Sequence, residues 1–181
     1  MRRELRLQAH DTLQTAASTR PPRERRSEDE ETDPRRPAAT AGTLPGIEID
    51  QAVLECHLGG KIAQRSRAVL QSHADLERIY TPGVAQVASA IRASEDEAWS
   101  LTGIGKSVGI FTNGTRVLSL GDIGPLASLP VMEGKAVLYD QLVGLSATPI
   151  LVDATDPASF VEAVSRVAGS FAAIHLEDIR S

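Results

Sequence analysis

Apolar and polar positions fall into two textures along this chain. Through residue 46 charged residues and prolines dominate, and the run at 20–37 (RPPRERRSEDEETDPRRP) has no apolar residue able to seed a core. Such a segment cannot offset its ordering entropy by burial, so residues 1–46 are expected to form a disordered charged tail. From Ile47 onward short apolar runs alternate with glycine and proline, the texture of a compact α/β domain over 47–181. Residues 51–58 predict a short helix stopped by Gly59 and Gly60, and 61–70 either a strand or an extended arm. Ser72 or Asp75 can cap a helix running to Ile79, and Pro82-Gly83 separates it from a second helix over 84–92. Residues 96–101 read as helical. The apolar runs 107–112 and 116–120 flank Asn113-Gly114, which predicts a β-hairpin.

Further along, Pro130 suits the first turn of a helix, and Met132, Ala136, Leu138 and Leu142 follow at roughly helical spacing, which places Lys135 on that helix. A strand is expected at 148–152. Asp156-Pro157 then supplies an N-cap and a first-turn proline for a helix whose apolar face is Phe160, Val161, Val164 and Val167, ended by Gly169. Residues 171–176 predict a buried strand that delivers Glu177 and Asp178 at its carboxyl end. Strand, helix, strand implies a right-handed parallel unit, so the expected architecture is a small, mostly parallel sheet flanked by helices.

Composition narrows the function classes. The 181 residues suffice for one domain. No run approaches the roughly 18 apolar residues of a membrane span. A single cysteine, Cys56, rules out an intramolecular disulfide and fits a reducing compartment, with the cytoplasm as the expected location. Net charge is -5, and residues 1–46 hold 9 of the 19 Lys and Arg but 8 of the 24 acids, leaving 10 bases against 16 acids for the folded part. That balance argues against binding a nucleic-acid backbone.

Several residues invite chemistry. The segment 100–107 (SLTGIGKS) approaches a phosphate-binding loop, but Ser100 stands where the first glycine belongs and Lys106-Ser107 leads into a strand rather than a helix. The glycine-rich 120–124 (LGDIG) is explained by a tight turn. Glu177-Asp178 offers two hard oxygen donors for a divalent cation, but adjacent strand residues point to opposite faces, so both reach one ion only if the backbone leaves the strand there. Tyr80, before Thr-Pro-Gly, and Lys135, in Met-Glu-Gly-Lys, are each open to a structural or a catalytic reading. Arg116 either pairs with an acid or clamps a carboxylate.

Taken together, YTPGVA at 80–85, TNGTRVLSLGDIGP at 112–125, LPVMEGKAVLY at 129–139 and HLEDI at 175–179 resemble, in order and spacing, the amino-terminal domain of the bacterial malic enzymes, over residues 57–179. The resemblance implies oxidative decarboxylation of malate to pyruvate and CO2, with NAD or NADP reduced and Mg2+ or Mn2+ required. It implies Tyr80 as the acid that protonates C3 after CO2 leaves, and Lys135 as the base for the C2 hydroxyl, a role that requires a lysine able to lose its proton near neutral pH. It further implies Arg116 on the substrate carboxylate, Glu177 and Asp178 as two metal ligands, and Asp122 as a structural neighbour. Ser119 and Asn113 depart from the glycine and aspartate usual in the family. The family also continues into a third metal-binding aspartate and a NAD-binding domain, which are expected to be missing from a sequence ending at Ser181. Two functions follow as alternatives: a malate-binding half that works with a complementing NAD-binding chain, or a non-catalytic remnant serving as a binding or dimerisation module. Family members are usually homo-oligomers.

Overall fold

The computed structural model describes residue 47 and residues 49–180; the expected tail over 1–46 lies outside them. The chain divides into two units, 1–40 and 41–181, and everything described belongs to the second. Its helices are α1 (Gln51–His57), α2 (His73–Ile79), α3 (Val84–Ala93), α4 (Ala98–Leu101), α5 (Gly124–Leu138) and α6 (Pro157–Val167). Its strands are β1 (Ser107–Thr112), β2 (Ser146–Leu151) and β3 (Ala173–Leu176), in the spatial order β2-β1-β3 and all parallel.

The central strand organises the domain. β1 is almost wholly buried, and its alternating side chains separate two cores. Ile110 packs with Met132 and Ala136 of α5, joined by Tyr139 and Ala147. Phe111 points the other way, to Phe160 of α6, Val152 and Phe171. Helices therefore cover both faces of the sheet, as parallel sheets require. The Phe111 and Phe171 rings meet edge to face at 5.9 Å. Gly109 makes room for them, because a Cβ there would stand 2.5 Å from the Phe111 ring and 2.9 Å from that of Phe171. Gly109→Ala is expected to cost about 1–3 kcal/mol by overpacking, measurable as a lower denaturation midpoint at unchanged slope.

Local signals predicted several boundaries. Ser72 caps α2 by accepting from the Asp75 amide, and Asp156 caps α6 by accepting from that of Ser159. Long-range ones went otherwise. Residues 61–70 form no strand. The expected hairpin does not form: β1 pairs with β2 and β3 instead, and 116–120 is a loop held by one isolated bridge between Val117 and Gly121. Pro130 lies inside α5, which begins two turns earlier at Gly124-Pro125. The N–H that Pro130 lacks would have bonded to the Leu126 carbonyl, so the helix continues there with one backbone bond fewer. Val161 is likewise exposed, and α6 buries Phe160 with Ala163 and Val164 beside it. β3 is a partly exposed edge strand rather than a buried one.

α2 and α3 bury no residue at all. Val69, Leu70, Leu76, Ile79 and Tyr80 are exposed along this arm, which includes a cis Thr81–Pro82 bond. No described helix is long and apolar enough to cross a membrane.

Candidate active site

Beyond the carboxyl end of β1 the chain forms a polar loop at 113–116 that anchors the final segment. Asn113 is buried and its Oδ1 accepts from both the backbone N–H and the hydroxyl of Thr115, while its Nδ2 donates to the Ala154 carbonyl at 3.0 Å. An aspartate here would lack that last donor, which explains the asparagine. The same loop holds the segment after β3: the Arg116 amide donates to the Asp178 carbonyl at 3.1 Å, and the Arg180 amide to the Thr115 hydroxyl at 2.8 Å. Ser119 adopts a φ of 66°, the left-handed region that glycine favours.

Glu177 and Asp178 sit where this loop meets the sheet. Asp178 has a φ of 56°, so the backbone leaves the strand direction at the position where two adjacent carboxylates need it to. Glu177 keeps the alternation of β3. His175 is the register partner of Ile110, so the side chains of residues 175 and 177 turn to the face covered by α5. There Lys135 Nζ stands 3.2 Å from Glu177 Oε2, both side chains half-buried, and His175 Nε2 lies 2.5 Å from the same oxygen. Tyr139, where α5 widens into a π-turn (Tyr139–Val143), places its hydroxyl 2.7 Å from His175 Nδ1.

Burial pushes the Glu177 carboxyl up, but hydrogen bonds from His175 and Lys135, reinforced by the Lys135 charge, outweigh it and hold the group below its ordinary 4.5. Asp178 moves the other way, raised first by burial and then by the Glu177 charge, with Lys135 partly offsetting both. A lowered folded value means that Glu177 stabilises the fold above pH 4.5 and loses that contribution as pH falls through its folded value. For Asp178 the sign reverses, and stability is lost as pH rises through its raised value. Glu177→Gln is thus expected to cost on the order of 1 kcal/mol at neutral pH for a partly solvated pair. The gap to wild type in denaturation experiments should narrow below pH 4.5; a gap that widens toward acid would contradict the assignment.

Among the described residues one buried side-chain atom, Asp178 Oδ2, has no hydrogen-bond partner. Both donors to Glu177 fall on Oε2. These are hard, anionic oxygens that suit Mg2+ or Mn2+, so the two residues fit a divalent cation as part of its shell. Among the described residues no group of three or more His, Cys, Asp or Glu completes such a site.

Of the residues singled out by sequence, the structure therefore joins Lys135 to Glu177 and, through the backbone, Arg116 to Asp178. Asp122 pairs with Arg180 at 3.4 Å. Tyr80 closes α2, is 66% exposed, and has no hydrogen bond to the cluster. A cavity of about 520 Å³ lies elsewhere, bounded by Lys61, Arg65, Val137, Asp140 and Thr148, and takes in none of the candidate catalytic groups. His175 and Tyr139 were missed by sequence reasoning, although His175 stands two residues before Glu177, the spacing that puts strand side chains on one face.

The model of the malic enzyme N-terminal domain matches residues 59–181. The chain belongs to the malic enzyme family. It is 47% identical over 133 residues to NAD-dependent malic enzyme 1 of Bacillus subtilis, covering 74% of this chain and 30% of that protein. Against the NADP-dependent malic enzyme of Halomonas elongata the identity is 38% over 134 residues, 72% of this chain and 32% of the relative. The crystal structure of malic enzyme from Pyrococcus horikoshii superposes with a TM-score of 0.70 at 39% identity, covering 72% of this chain and 31% of that one. The chain thus spans about 30% of the length of the first of these relatives.

Proposed function

We propose that this chain carries the malate-binding, acid–base half of an NAD- or NADP-dependent decarboxylating malate dehydrogenase, converting malate to pyruvate and CO2. The observation that carries this reading is the Lys135–Glu177 contact beside the unpartnered Asp178 oxygen, which brings a lysine amine next to a candidate cation site. Glu177 and Asp178 would hold Mg2+ or Mn2+, which when bound supplies a Lewis acid for the charge that develops on oxygen. Lys135 takes the C2 hydroxyl proton, and Arg116 binds a substrate carboxylate. Tyr80 gives a proton to C3, a role that rests on its place in YTPG. The nicotinamide is held by a separate nucleotide-binding domain, on a complementing chain or a further segment. Residues 47–181 form the amino-terminal domain of that enzyme.

Two carboxylates are a fragment of an oxygen site, so the chain by itself is expected to bind Mn2+ with a dissociation constant in roughly the millimolar range. Both Glu177→Gln and Asp178→Asn should weaken binding in a calorimetric or spin-resonance titration. Mn2+ binding that survives both substitutions would place the cation elsewhere and overturn the reading.

A second reading, a non-catalytic dimerisation module, is favoured by the exposed apolar arm of α2 and α3. It predicts that Tyr80→Ala together with Lys135→Ala has no phenotype, whereas the catalytic reading predicts loss of malate use.

A further inference from the structure

Glu177 is gripped by a directed chain of hydrogen bonds that begins on another element. An ionised carboxylate can only accept, so the bond at Oε2 makes His175 Nε2 the donor. In the neutral ring Nδ1 is then an acceptor, and the Tyr139 hydroxyl, 2.7 Å away, donates to it. The two rings meet edge to face at 5.8 Å and 88°, which fixes the imidazole plane as well as its tautomer. Tyr139 is itself placed by the π-turn that closes α5 and by packing against the Ile110, Met132 and Ala136 cluster.

We propose that His175, locked by Tyr139, is a positioning residue that holds the Glu177 carboxylate with Oε2 turned to Lys135 and Oε1 open to a divalent cation. The inference rests on the reading of Glu177 as a cation ligand and adds what orients it. Partners behind metal ligands typically change metal affinity by about 10–100-fold when removed.

The test uses the full chain with isotope-labelled histidine and Mn2+ as the probe. Nitrogen–proton correlation of the His175 ring should show the Nε2–H tautomer in wild type, and the Nδ1 resonance should shift in Tyr139→Phe as its hydrogen bond is lost. Mn2+ affinity should fall about 10-fold in His175→Ala. It should recover in His175→Gln, whose amide N–H stands near the former Nε2–H, while Tyr139→Phe falls between. Circular dichroism and melting curves establish that each variant is folded. An Nδ1–H tautomer in wild type overturns the proposal, as does a His175→Ala chain that titrates like wild type or a His175→Gln chain no better than the alanine variant. Wild type that binds no Mn2+ sinks the cation reading of Glu177 and the proposal with it; wild type that binds while His175→Ala is unaffected sinks the proposal alone.

Discussion

Gly114→Ala is expected to destabilise the domain by about 3 kcal/mol or more, among the largest effects of any single methyl group here. Gly114 has a φ of 65°, in the left-handed region, and a Cβ there would land on the backbone carbonyl of Gly124. That carbonyl belongs to the first residue of α5 and cannot swing aside as a side-chain tip would. The Gly114 carbonyl in turn accepts from the amides of Ile123 and Gly124, so the contact also fastens the loop to the start of the helix. Because the same loop holds the Asp178 carbonyl and the Arg180 amide, release of the loop should loosen the Glu177-Asp178 segment. Denaturation curves and Mn2+ titration should therefore deteriorate together. An alanine variant as stable as wild type would show that the approach of 114 to 124 is not what fixes the loop.

Lys135→Ala is expected to lower malate-dependent nicotinamide reduction by roughly 10²- to 10⁴-fold, the usual worth of a positioned general base. The assay places this chain in the position of the matching segment of the Bacillus subtilis relative, joined to the remainder of that enzyme. Lys135 is half-buried at the end of α5 and meets Glu177 at 3.2 Å, close enough for the proposed base and the candidate cation ligand to act on one small substrate. Its loss should act on turnover and leave nicotinamide binding unchanged. A drop confined to nicotinamide affinity would mean that the lysine serves the fold or the interface between domains.

What the sequence made legible follows the range of each interaction. Ser72 and Asp156 were readable as caps because the bonds they accept come from amides three residues on. Asn113-Gly114 misled because the pair has the chemistry of a hairpin turn, yet the side chain of Asn113 is spent on Ala154, 41 residues away, and β1 finds both partners in later, parallel strands. Pro130 misled because α5 holds two prolines and only Pro125 occupies its first turn. The site shows the same division. Glu177, Asp178, Lys135 and Arg116 were visible as motif residues, whereas the bonds from Tyr139 to His175 to Glu177 depend on β3 being laid beside β1 under α5.

The proposed malate-handling role of the cluster at Lys135, Glu177 and Asp178 is open to a direct test. The most direct measurement is nicotinamide reduction by the joined enzyme, with and without malate and Mn2+, in wild type and in Glu177→Gln. Reduction is expected to require both malate and Mn2+ and to be lost in Glu177→Gln, while nicotinamide binding persists. A folded, nicotinamide-binding enzyme that turns over no malate, or one that turns it over equally well without the Glu177 carboxylate, would contradict that role.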